Sequence, residues 1–125
     1  MSRENVETFK RGVDAWNRDD FAAWIDLFDP EVEWFALMEV FRGHDGARQA
    51  WASFKGDMHL TVEFDEIRDL GDRVLALGEI NGVGHTTGLK VGAEVAQLCT
   101  YRDGKAISIR DYGSHEEALQ VVASD

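Results

Sequence analysis

The feature that most constrains this chain is a change of hydrophobic period near Leu60. Upstream, apolar residues recur every three to four positions; from Leu60 onward, Leu60, Val62 and Phe64 alternate with Thr61, Glu63 and Asp65. A period near 3.6 marks one stripe of a helix and a period of two marks one face of a strand, so helices come first and sheet second. Val6, Phe9, Val13 and Trp16 mark a first helix, and Asn17-Arg18-Asp19-Asp20 a turn. Phe21, Trp24, Ile25 and Phe28 mark a second helix behind an Asp20 cap, stopped by Pro30. Residues 31–35 alternate as a short strand, and residues 36–42 are too apolar for a solvated loop and are expected to cover something. Gly43-His44-Asp45-Gly46 opens a third helix with a stripe of Ala47, Ala50, Trp51 and Phe54.

After Leu60, turn signals at Gly71-Asp72 and Asp103-Gly104 separate further strands over 73–84, 91–102 and 105–112. Ser114-His115-Glu116-Glu117 has the spacing of a capping box and starts a short C-terminal helix. Consecutive strands joined by turns this short run antiparallel and leave the helices to cover one face, which is an α+β arrangement. Gly78, Gly82, Gly84 and Gly92 permit bulges and bending, so the expected sheet is a strongly curved antiparallel cone closed by N-terminal helices, with a cavity beneath them.

A length of 125 residues suits one domain, taken as 1–125. The formal net charge of -11 repels phosphate backbones and anionic lipid, so neither nucleic acid nor membrane is expected as a partner. Met1-Ser2-Arg3-Glu4-Asn5 is polar and no apolar run is long enough to cross a bilayer. The single cysteine, Cys99, can form no internal disulfide, which favours a reducing compartment and a cytoplasmic location. His44, His59, His85 and His115 show no HxH, HxxxH or HExxH spacing, so no metal site is expected. There is neither a Gly-rich phosphate loop nor a GxSxG elbow, and no cofactor is expected.

Five segments, in this order, resemble the SnoaL-like family of the nuclear transport factor 2-like superfamily. They are Ala15-Trp16-Asn17-Arg18-Asp19-Asp20-Phe21, Phe28-Asp29-Pro30-Glu31-Val32-Glu33-Trp34, Phe41-Arg42-Gly43-His44-Asp45-Gly46, Asp69-Leu70-Gly71-Asp72-Arg73-Val74 and Tyr101-Arg102-Asp103-Gly104-Lys105. The resemblance implies a cone-shaped pocket and frequent homodimers, but no single reaction, because the family holds cyclases, isomerases, epoxide hydrolases, dehydratases and proteins without established activity. The last strand is also similar to that of limonene-epoxide-hydrolase-like members, whose matching aspartate helps activate water; their accompanying arginine and aspartate would fall near Gly78 and Ile80, which cannot do that work. For ketosteroid isomerases the tyrosine would fall near Gly12, the base near Trp34 and the proton-donating acid near Gln97, again without the needed groups. The cyclase members' aspartate on the final strand is matched by Asp111, whereas the histidine on the strand before it has no clear match.

Alternation in the last strand puts Asp111 on the face of Ile107 and Ile109 and turns Arg110 away. A carboxylate on an apolar surface is desolvated, its pKa rises, and it suits proton transfer near neutral pH. The competing reading makes Asp111 a partly wet strand end that caps the turn into Ser114. On the preceding strand Gln97 shares a face with Val91, Ala93, Val95, Cys99 and Tyr101, either as the polar handle of a greasy wall or as one satisfied amide in a core. Cys99 has no basic neighbour in sequence and reads as a small buried hydrophobe against that wall.

Trp16, Trp34, Met38, Phe54, Met58 and Ile109 either line the pocket or are plain core, and His59 is the histidine best placed for the pocket mouth. Two functions follow. One is a pocket for a small apolar or aromatic molecule in which Asp111 acts as general acid/base of a cofactor-free isomerase, cyclase or hydrolase. The other is a non-catalytic ligand-binding or dimerisation module of the same fold.

Overall fold

Residues 2–124 are described by a computed structural model, and Met1 and Asp125 lie outside the described residues. The N-terminal half holds α1 (Ser2–Asn17), α2 (Phe21–Ile25), β1 (Phe28–Phe35), β2 (Val40–Arg42) and α3 (Gly43–Lys55). The remainder is β3 (Met58–Asp69), β4 (Arg73–Gly84), β5 (Lys90–Arg102), β6 (Lys105–Tyr112) and α4 (His115–Ala123). This is the expected α+β architecture: N-terminal helices on a curved, unclosed six-stranded sheet of order β2-β1-β6-β5-β4-β3.

Two expectations need correction. The sheet is not wholly antiparallel, because β1 pairs with β6 in parallel while β3 to β6 form the antiparallel meander. A parallel pair needs a long crossover, and here α3 and four strands supply it. The second helix also ends at Ile25, so Phe28 opens β1 and Pro30 lies within that strand rather than stopping a helix. The β1–β6 ladder is irregular between Phe28 and Glu33, and in that stretch the missing proline N–H disturbs no regular pairing. Asp20 does cap α2, its Oδ1 accepting the Ala23 N–H at 3.1 Å.

Curvature comes from the β3–β4 pair. Their register slips between Phe64 and Glu66, and opposite the slip sits Gly78, where an added Cβ would lie 2.0 Å from the Glu63 carbonyl oxygen. Only glycine permits that close backbone approach, and the bulge bends the strand over the helices. At the β5–β6 hairpin, Asp103 and Gly104 both have positive φ (52° and 79°), the twist-matched conformation of a two-residue turn.

The exposed edge strand β3 is tied down by side chains. Asn17 donates from Nδ2 to the Val62 carbonyl and accepts the Val62 N–H on Oδ1, both at 2.8 Å, and so stands in for a missing neighbour strand. Lys55 Nζ donates to the Trp16 carbonyl at the end of α1 (2.6 Å), to Asp19 Oδ1 (2.5 Å) and to the Leu60 carbonyl (3.2 Å). Its ammonium also lies 4.5 and 4.8 Å from the Trp16 and Trp51 ring centres. A cation at the negative end of a helix and over two indoles is favourable, so this nearly buried lysine fastens α1, α3 and β3 together.

The sheet buries both faces. Val74 and Ala76 turn inward under α1 to α3, while Leu75, Leu77, Ala96 and Leu98 turn outward beneath α4, against Ala118, Leu119 and Val122. The Ser114 hydroxyl accepts the Glu117 N–H at 3.1 Å and starts α4 as its spacing predicts. Among the described residues no helix is long and apolar enough to cross a membrane.

Candidate functional site

Beneath the helices the concave face encloses a cavity of about 400 Å³, within the range of small-molecule sites. Helix stripes supply Phe9, Val13, Trp16, Trp24 and Phe54, and β1 supplies Trp34. The opposite wall comes from alternate residues of β5 (Ala93, Val95, Gln97, Cys99 and Tyr101) and of β6 (Ile109 and Asp111). The rings lean on one another across the helix–sheet boundary: Trp34 of β1 meets Trp16 edge-on at 6.1 Å and lies 5.4 Å from Phe54. Such edge-to-face contacts brace the wall and leave space in front of it.

Three acidic residues line the cavity, and of these Glu39 and Glu94 are exposed while Asp111 is set into the wall. Asp111 pairs in register with Gln97, whose Nε2 donates to Oδ1 at 2.9 Å, while the Trp34 indole Nε1–H donates to Oδ2 at 2.9 Å. Burial destabilises the carboxylate, the two donors partly stabilise it, and burial wins: its pKa is pushed up to about 6. The carboxyl therefore changes charge close to neutral pH while two neighbours hold its orientation. Burial also pushes the Cys99 thiol up, with the Asp111 charge adding to the effect, and keeps the Tyr101 phenol protonated. Cys99 is thus a neutral wall group rather than a nucleophile.

Of the side chains expected at a pocket, Trp16, Trp34, Phe54, Gln97, Cys99, Ile109 and Asp111 line the cavity. Met38 lines it from the rim and is 95% exposed, because Ala36 N–H bonds to the Glu39 carbonyl (2.9 Å) and the tight turn between them pushes Leu37 and Met38 outward. Met58 and His59 are corrections, since neither lines the cavity. Met58 shares the inward face of Leu60 but sits beyond its end, beside Gly82. His59 has the opposite parity, faces out, and lies 3.4 Å from Asp19 Oδ2.

Phe9, Trp24 and Tyr101 line the cavity without having been singled out as site residues. Their period placed Phe9 and Trp24 on buried stripes and Tyr101 on the Gln97 face, but period does not distinguish a wall from a filled core. Ile80 contributes only apolar wall, and Gly78 serves the bulge. Among the described residues no group of three His, Cys, Asp or Glu side chains is arranged to hold a metal ion.

The fold recurs in solved structures. An NTF2-like protein of unknown function from Burkholderia pseudomallei is 17% identical with a TM-score of 0.80, covering 95% of this chain and 97% of its own. A proposed polyketide cyclase from Xanthomonas campestris pv. campestris is 18% identical with a TM-score of 0.79 (94% and 96% covered). TerC, co-crystallised with polyporic acid, is 20% identical with a TM-score of 0.79 (96% and 98% covered). No functionally curated protein matches the sequence. A family profile described as a SnoaL-like domain matches residues 9–109, a span that runs from the first cavity-lining helix almost to Asp111. On that match, the chain belongs to the SnoaL-like domain family.

Proposed function

We propose that this protein holds a small apolar or aromatic molecule under its helices and moves a proton on it with Asp111, without a cofactor. The observation that carries this reading is one carboxyl, raised to about 6, fixed between Trp34 and Gln97 deep in a largely apolar cavity whose other two carboxyls, Glu39 and Glu94, are exposed. As a carboxylate, Asp111 takes a proton from a substrate C–H or O–H, or from water; as the resulting acid it returns that proton to another atom, so the protein ends unchanged. With Gly78 and Ile80 at the positions where the hydrolase partners would stand, isomerisation and cyclisation fit better than epoxide opening. The similar structures described as a polyketide cyclase and as a complex with polyporic acid agree with a small organic ligand. Homodimers, which the family resemblance implies, and a cytoplasmic location, which suits the lone free Cys99, belong to the same proposal.

NMR titration of the Asp111 carboxyl tests it, together with mass spectrometry of the native protein for a co-purified small molecule. The expected result is an inflection near 6 that moves when a ligand enters. Asp111→Asn keeps the fold, since its Oδ1 still accepts from Trp34 while the Gln97 amide turns to accept from the new NH2, and it loses turnover. An inflection at the ordinary aspartate value with no ligand response would falsify proton transfer. Ligand binding that leaves Asp111 unmoved would instead favour the non-catalytic binding module.

A further inference from the structure

The cavity has a second polar end. Tyr101 lies on the same face of β5 as Gln97, four residues further along, so about 13 Å of strand separates it from the register position of Asp111. The residue is only 7% exposed, yet it carries a hydroxyl, and the polar side chain beside it on the same strand face, two positions back, is the Cys99 thiol, a weak acceptor. A buried hydroxyl is costly unless it meets a good partner, and phenylalanine would fill the same wall without that cost. The surroundings also give this end a sign. Arg11 donates to the Thr8 hydroxyl at 3.1 Å, Thr8 lines the cavity, and the Arg11 charge acts favourably on the Tyr101 oxygen. The interior thus holds a buried carboxyl at one end and a neutral donor at the other, with the Arg11 guanidinium outside the lining and Glu39 and Glu94 exposed.

We infer that Tyr101 is the cavity's second ligand contact, its hydroxyl donating to a carbonyl or phenol oxygen of an elongated molecule whose other end reaches Asp111. This deepens the reading of the cavity as a ligand site and rests on it. It narrows the ligand class to uncharged, largely apolar molecules longer than one ring with an oxygen at each end, because an anion would meet the Asp111 carboxylate. A single small ring would leave one end of the cavity unused.

The probes are 4-hydroxybiphenyl and 4,4'-dihydroxybiphenyl, with binding read from quenching of the cavity tryptophans. The native protein binds the two-ended phenol about fivefold more tightly than the one-ended phenol, the worth of one neutral hydrogen bond. Tyr101→Phe removes that preference, and an Asp111 inflection still near 6 in the variant shows that the cavity wall is intact. Equal affinity of the native protein for both probes, or a preference that survives Tyr101→Phe, overturns the inference while leaving proton transfer by Asp111 standing. Binding of neither probe overturns it together with the ligand-site reading.

Discussion

Both faces of the sheet bury apolar residues under helices, yet the concave face is hollow beneath its helices while the convex face is filled where α4 sits. On the convex face a single short helix lies on Leu75, Leu77, Ala96 and Leu98 through Ala118, and Leu75, Ala96 and Ala118 have no exposed surface. On the concave face α1 and α3 bridge a curved floor, and their tryptophans and phenylalanines contact one another in a braced network. Small and flexible residues let α4 settle directly on Leu75 and Ala96, and the space left on this face is an open groove beside the helix, among Arg73, Leu98, Thr100, Ser108 and Arg110. Large rigid rings that meet edge to face stop the approach early, and the curve set at Gly78 holds the floor away. Burial alone does not make a site; a cavity needs walls that support each other.

Matched truncations on the two faces are the sharpest way to break this comparison. Leu75→Ala on the filled face is expected to cost about 3–4 kcal/mol in urea unfolding, because it opens a new cavity in close-packed surroundings. Leu60→Ala, whose side chain already borders the void, costs about 2 kcal/mol. Equal losses at the two sites would mean that the concave face is packed as tightly as the convex one.

The next effect is electrostatic and belongs to the hollow face alone. Asp111 has a folded pKa of about 6 against an ordinary 3.8, so between those values the folded protein holds the extra proton. Its contribution to stability is therefore complete below about pH 4 and is lost as pH rises through 6. Asp111→Asn is expected to be more stable than the native protein by roughly 2 kcal/mol at pH 8, with the gain vanishing near pH 4. Unfolding midpoints at the two pH values check this, and a gain independent of pH would show that the carboxyl is not desolvated.

The smallest expected change in stability carries a large change in binding. Val62 lines the cavity from β3, and Val62→Phe projects its added volume into existing space. Stability should stay within about 1 kcal/mol while hydroxybiphenyl quenching disappears. A loss of several kcal/mol would mean that no room exists there.

The helix–sheet order, the strand limits at 73–84 and 105–112, the Asp103-Gly104 turn and the Ser114 cap were legible because each depends on residues close in sequence. Pro30 misled for the same reason: locally it ends helices, but here the chain had already left the helix and begun to pair with β6. His59 was misplaced because a strand residue's depth depends on its parity against a neighbour, not on its distance from the helices. The acidic residue on the Ile109 face could be named from alternation, but its partners could not. Trp34 and Asp111 are 77 positions apart and meet only because β1 slots in beside β6 in parallel.

By itself, then, the sequence determined which residues turn inward, since backbone period is a local property of three to four neighbours at most. Tertiary structure decided whether the inward-facing residues touch or leave room, because that depends on how far apart distant elements are held. The same arrangement decided the charge behaviour of Asp111, whose pKa follows from desolvation by walls that the sequence lists far from it.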